Sequence, residues 1–103
     1  MAIHGVAREL RGSELATLRS QLTRAADSIA TNIVEGAGAS SAREFARFLD
    51  ISIKSASETE YHLLSARDRH VLSDERWRDL SIETVEIRRM TYAYRKRLLD
   101  SPS

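Results

Sequence analysis

Leu15, Leu18, Leu22, Ala25, Ile29 and Ile33 recur at spacings of three or four, which puts them on one face of an amphipathic helix. The stripe predicts a helix over residues 14–35, with Ser13 as its N-cap and Gly36 as its stop. The loop Gly36-Ala37-Gly38-Ala39-Ser40 follows. Ser41 is answered by Glu44 at capping-box spacing, and this opens a second helix over residues 42–69. Its apolar and small positions are Phe45, Phe48, Leu49, Ser52, Ala56, Thr59 and Leu63. A turn at His70-Val71-Leu72-Ser73 leads to a third helix over residues 74–99, capped by Ser73. There Trp77, Leu80, Thr84, Ile87, Thr91, Tyr94 and Leu98 keep a heptad register. Val6, Ala7 and Leu10 predict only a short or frayed first helix within residues 1–12, ending at Gly12. Helices of roughly 33 to 42 Å at 1.5 Å per residue do not stand alone in water and must pack lengthwise. The expected fold is therefore all-α: an antiparallel up-down helical bundle in a single domain, residues 1–103.

The third helix carries a second stripe, Ile82, Val85, Arg89 and Tyr92, turned away from the first. A helix with two stripes serves its own bundle and meets another subunit, so self-association is expected. The alternative is one broad core-facing surface wrapped around the helix.

Composition sharpens this picture at few points. With 103 residues, 42% of them hydrophobic, the chain builds one modest core. Four glycines and one terminal proline fit long helices and short turns. The absence of cysteine excludes disulfides and thiolate metal sites and is compatible with a cytoplasmic location. Apolar runs reach at most three residues, whereas a membrane span needs about 20, so no membrane partner is expected. The start Met1-Ala2-Ile3-His4 lacks the basic and apolar blocks of a secretory signal. The net charge of +1 conceals fourteen arginines against two lysines. Arginine suits bidentate recognition of carboxylate or phosphate, although codon usage explains such a bias equally well.

Candidate chemistry is concentrated in two places. Arg88, Arg89, Arg95, Lys96 and Arg97 fall within ten residues that contain no acid, and an antiparallel hairpin brings Arg43 and Arg47 towards the same end. These seven form a candidate nucleic-acid-binding surface, with Tyr92 and Tyr94 interleaved to stack on unpaired bases. The competing reading is electrostatic. Asp74, Glu75, Asp79, Glu83 and Glu86 open the same helix, so acids at its start and bases at its end complement the macrodipole. The second place is Asn32, an amide beside an apolar stripe. With Glu35, and with Ser55, Glu58 or Glu60 of the next helix, it forms either a small polar pocket or a hydrogen-bonded lock that fixes helix register. No metal site is expected, because Thr59 and Arg67 stand where paired Glu-x-x-His motifs would need acids ahead of His62 and His70. No cofactor motif and no catalytic serine or phosphate-loop motif occurs, so the expectation is a non-enzymatic protein.

Ser20, Gln21, Leu22, Arg24, Ala25, Ala26, Ser28, Ile29, Asn32, Ile33, Glu35 and Gly36 follow the pattern S-Q-L-x-R-A-A-x-S-I-P-x-N-I-A-E-G. Glu44, Phe45, Arg47, Phe48 and Leu49 follow E-F-x-R-F-L, and Ser55, Ala56, Glu58 and Glu60 close a small-residue stretch ending in E-x-E. In these blocks, over about residues 13–99, the chain resembles the four-helix-bundle family named for the 23S ribosomal RNA intervening-sequence protein. The accessory protein of diversity-generating retroelements is a relative of that family. Two departures stand out: Ala30 replaces the family's proline, and only residues 1–11 stand where the family has a long first helix, so either the start is truncated or the bundle is expected to complete its core with a neighbouring chain. The resemblance implies an up-down bundle that assembles as a ring-like homopentamer, with no established catalytic activity. The expected partners are thus copies of the chain itself and, through the basic surface, RNA or an RNA-bound protein. A purely protein-binding oligomeric scaffold is the alternative.

Overall fold

A computed structural model describes residues 15–100. Among the described residues there are three helices and no strand: α1 (Ala16–Ala37), α2 (Ala42–Asp68) and α3 (Asp74–Asp100). The expected short first helix and the Ser13 cap lie outside the described residues. α2 runs antiparallel to both neighbours and packs along each of them, whereas α1 and α3 hardly approach one another. Among the described residues α2 is thus the central helix, with α1 and α3 on either side of it and an open corner between them.

Leu18, Leu22, Ala25 and Ile29 of the predicted stripe are buried, joined by Ala26, whereas Ile33 at the end of the stripe is exposed. The end of α1 differs from expectation. The helix continues through Gly36 to Ala37 and closes at Gly38, whose N–H donates to the Glu35 carbonyl, while Ala39 N–H donates to that of Gly36. Gly36 is needed for space instead. A Cβ there would lie 2.6 Å from Phe45 Cδ1 and 3.0 Å from Phe48 Cβ, so the glycine lets the end of α1 touch the start of α2.

Ser41 caps α2, its Oγ accepting from Glu44 N–H at 3.1 Å. The reciprocal half of the capping box is displaced by one residue, since the Glu44 carboxylate accepts from Ser40 Oγ at 3.0 Å. At the other end, His70 adopts φ 60°. Its N–H donates to the Arg67 carbonyl and Val71 N–H to that of Ala66, each at 2.9 Å. This is a Schellman stop with histidine in the left-handed position that glycine usually fills. Val71 then folds back onto the core. Ser73 Oγ caps α3 by accepting from Arg76 N–H at 3.1 Å.

The main core lies at the end where α1 starts, α2 ends and α3 starts: Leu18, Leu22 and Ala26 meet Leu63, Ala66, Leu72 and Leu80, with Val71 and Trp77 against them. Burying leucines such as Leu22 and Leu63 contributes about 1.5–3 kcal/mol each. Thr59, Thr84 and Thr91 are also buried, and each hydroxyl donates to the carbonyl four residues back, so none leaves an unmet polar group. Towards the opposite end the core thins, and Ile33, Met90 and Tyr94 are exposed beside the open corner.

Candidate functional site

The polar seam sits between α1 and α2, where small side chains let the backbones come close. Asn32 Nδ2 donates to the Ser28 carbonyl at 2.8 Å and to Ser28 Oγ at 3.0 Å. Ser55 Oγ of α2 donates to the same Ser28 Oγ at 2.7 Å. One turn further along, Ser52 Oγ donates to the Ile29 carbonyl at 2.9 Å. Asn32 and Ser55 are therefore joined, as the sequence suggested, but through Ser28 rather than directly. Glu35 and Glu58 are exposed, and neither is hydrogen-bonded into this chain. Glu60 is occupied elsewhere by Arg88. Ser28 and Ser52 were missed by sequence reasoning, although Ser28 stands one helical turn before Asn32, where an amide finds a partner on its own helix.

Beside the seam, Gln21, Arg24, Lys54, Glu58 and His62 line a shallow polar cleft of about 430 Å³. Burial lowers the His62 pKa from its ordinary value, with the Glu58 carboxylate pulling in the opposite direction. The cleft carries charges of both signs, so it presents no single-sign surface to a partner.

The seven candidate cations separate into two groups. Arg88 and Arg95 turn towards α2. Arg88 Nε donates to Glu60 Oε2 at 2.8 Å, and Arg95 Nε forms an ion pair with Asp50 Oδ1. The second contact is close but not aligned as a hydrogen bond, and Nε has no other partner. Both pairs clamp α3 onto α2. Arg43 and Arg47, on the first two turns of α2, and Arg89, Lys96 and Arg97 on α3 are exposed. Arg43, Arg47, Arg89 and Lys96 make no ion pair with any described residue. Arg97 places its guanidinium carbon 5.9 Å from the Tyr94 ring centroid. Tyr94 in turn packs at 5.6 Å and 59° on Phe45. This contact brings the start of α2 and the end of α3 together, so Arg43, Arg47, Lys96 and Arg97 share one end of the molecule. Tyr92 is exposed on the neighbouring face of α3.

Ile33, Phe45, Leu49, Met90, Tyr94 and Arg97 are among the residues lining a largely apolar pocket of about 610 Å³ at that end, within the open corner. The second stripe of α3 lines a groove of about 410 Å³ with Trp77, Ile82, Val85 and Arg89. Among the described residues, no group of three or more His, Cys, Asp or Glu side chains is placed to hold a metal ion. No described helix is long and apolar enough to cross a membrane.

A family model described as 23S rRNA-intervening sequence protein matches residues 1–93. Neither a curated protein sequence nor a solved structure matches the chain.

Proposed function

The chain belongs to the 23S rRNA-intervening sequence protein family, and from that premise we propose that it is a non-enzymatic, self-assembling helical protein that offers its basic end to RNA. The observation that carries the reading is the placement of Arg43, Arg47 and Lys96. All three are exposed where α2 begins and α3 closes, and none is neutralised by a described carboxylate. Cations held by rigid helices, with their acids elsewhere, form a phosphate-contacting surface even in a chain of nearly zero net charge. Their RNA target would place the protein in the cytoplasm. Self-assembly is assigned to the outer stripe of α3, where Ile82 is 59% exposed.

Replacing Arg43, Arg47 and Lys96 together by glutamine tests the RNA reading. Each phosphate contact on a single strand contributes about 0.7 to the slope of log affinity against log salt. The triple variant is expected to flatten that slope by about 2, measured by fluorescence anisotropy on a single-stranded oligoribonucleotide between 50 and 200 mM salt, the window over which such contacts act. No association at low salt would remove RNA and leave the purely protein-binding scaffold. One observation favours that second reading: Arg88 and Arg95, two of the seven cations, already serve contacts within the chain.

A further inference from the structure

We propose that the cleft between α1 and α2 binds a small zwitterion of the α-amino-acid class, with its carboxylate towards Lys54 and Arg24 and its ammonium towards Glu58. The first argument is what the floor of the cleft leaves unspent. The buried hydroxyls of Ser52, Thr59, Thr84 and Thr91 each donate to a backbone carbonyl. The Ser28–Ser55 pair is different. Ser28 Oγ accepts from Asn32 Nδ2 at 3.0 Å and from Ser55 Oγ at 2.7 Å, and no described group accepts its own proton. Reversing the shared bond moves the spare proton to Ser55, which is only 6% exposed and also lines the cleft. In either arrangement the two hydroxyls share one bond and keep one donor for an acceptor in the cleft.

The walls are the second argument. The Ser28–Ser55 bond fixes the register of the antiparallel pair, so Arg24, one turn earlier on α1, stands at the level of Glu58, one turn later on α2. Lys54 is beside the hydroxyl pair, and His62 closes the far end. Arg24, Lys54 and Glu58 make no hydrogen bond or ion pair with any described residue, although all three line one space of about 430 Å³. Donors thus gather at the hydroxyl end and acceptors at the other, about one helical turn of 5.4 Å away. His62 belongs to the acceptor end, because burial lowers its pKa against the pull of Glu58 and favours the neutral ring.

The order of charges selects the ligand. A phosphate or a simple carboxylate uses the donors but is repelled by Glu58, and a simple amine meets Arg24 and Lys54. A molecule with a carboxylate and an ammonium on one carbon satisfies both ends. Its two charges, with hydrogen bonds of about 2.8–3.0 Å to each side, span one turn. Ala25 and the exposed Ile51 give its side chain an apolar rest, which suits leucine as a probe. The cleft shares no residue with the basic end, and the proposal does not depend on RNA binding.

Titration of the full chain with L-leucine, followed residue by residue through its backbone amide resonances, tests the site. Three further probes divide the ligand: N-acetyl-L-leucine lacks the ammonium, isoamylamine lacks the carboxylate, and inorganic phosphate is an oxyanion alone. Saturable shifts are expected to centre on Ser28 and Ser55, with each of the three partial probes at least about ten-fold weaker than leucine. Arg24→Gln and Glu58→Gln, both at exposed positions, should each weaken leucine about ten-fold at unchanged helix content by circular dichroism. Glu58→Gln should leave N-acetyl-L-leucine unchanged or tighter, whereas a general loosening of the helices would weaken every probe alike. Absence of saturable shifts with leucine would overturn the proposal. Phosphate or N-acetyl-L-leucine binding as tightly as leucine would overturn it too, leaving an oxyanion site only. Leucine binding indifferent to both substitutions would place the ligand elsewhere and reject the cleft.

Discussion

Gly36 separates two roles that a glycine near a helix end can play. As a helix terminator it would tolerate alanine poorly because of backbone conformation. As a spacer it would do so because of the volume of one methyl group. The contacts decide for the second: the hypothetical Cβ meets the Phe45 ring at 2.6 Å and Phe48 Cβ at 3.0 Å. A ring edge can swing aside, but Phe48 Cβ is fixed to the α2 backbone. Alanine in a helix gains about 0.8–1 kcal/mol over glycine, while overpacking costs about 1–3 kcal/mol. Gly36→Ala is therefore expected to destabilise the fold by on the order of 1 kcal/mol in urea unfolding, against the sign that helix propensity alone gives. A stabilised variant would mean that α1 and α2 have room to part. The Asn32 seam follows similar logic. Its amide is satisfied by Ser28 on its own helix, and the bonds that cross between α1 and α2 are Ser55 to Ser28 and Ser52 to the Ile29 carbonyl, so the lock is made by serine hydroxyls that no amide signature announces.

At the scale of elements, the helices were legible because their stripes, caps and turns agree with one another. Leu18, Leu22 and Ile29 mark α1, Ser41 and Ser73 cap the two following helices, and the heptad on α3 buries Leu80, Thr84 and Thr91. Less legible were the features set by a neighbouring element. Gly36 serves the close approach of α1 to α2, and the helix continues past it to Ala37. The diversion of Arg88 and Arg95 depends on acids that lie on another helix, at Glu60 and Asp50. Charge counting along α3 could not reveal that pairing. The stop of α2 was also hidden, because His70 gives no glycine signal. A non-glycine residue in the left-handed region pays roughly 1–2 kcal/mol in backbone strain. Glycine at this position relieves that strain but also loosens the unfolded chain. The net expectation for His70→Gly is a gain of about 0.5–1 kcal/mol, read as a higher urea midpoint at unchanged m-value. A loss would show that the His70 side chain itself makes a stabilising contribution at the turn.

The whole molecule is lopsided. Its tightest apolar cluster lies at the end built from Leu18, Leu22, Leu63 and Leu80, while the exposed cations and the aromatic pocket lie at the other. The exposed cations and the stabilising core are thereby kept apart, so changes at the basic end need not unfold the chain. The outer stripe of α3 lies on a different face again, with Ile82 and Val85 in a groove beside Arg89. Assembly through that stripe would multiply the basic ends without covering them. This has a consequence for RNA length. On the proposed function, a short oligonucleotide would engage one basic end and a long one several, and linked contacts raise avidity by factors of up to 10²–10⁴ when geometry allows them together. Ile82→Glu places a charge in the apolar stripe and should reduce the assembly to monomers in native mass spectrometry. It should then weaken binding of a long RNA at least ten-fold and leave binding of a short strand within about two-fold. Equal losses on both RNAs would mean that Ile82 acts on the RNA site itself. Intact assembly in the variant would remove the outer stripe of α3 as the self-contact and direct the search for it to the open corner between α1 and α3.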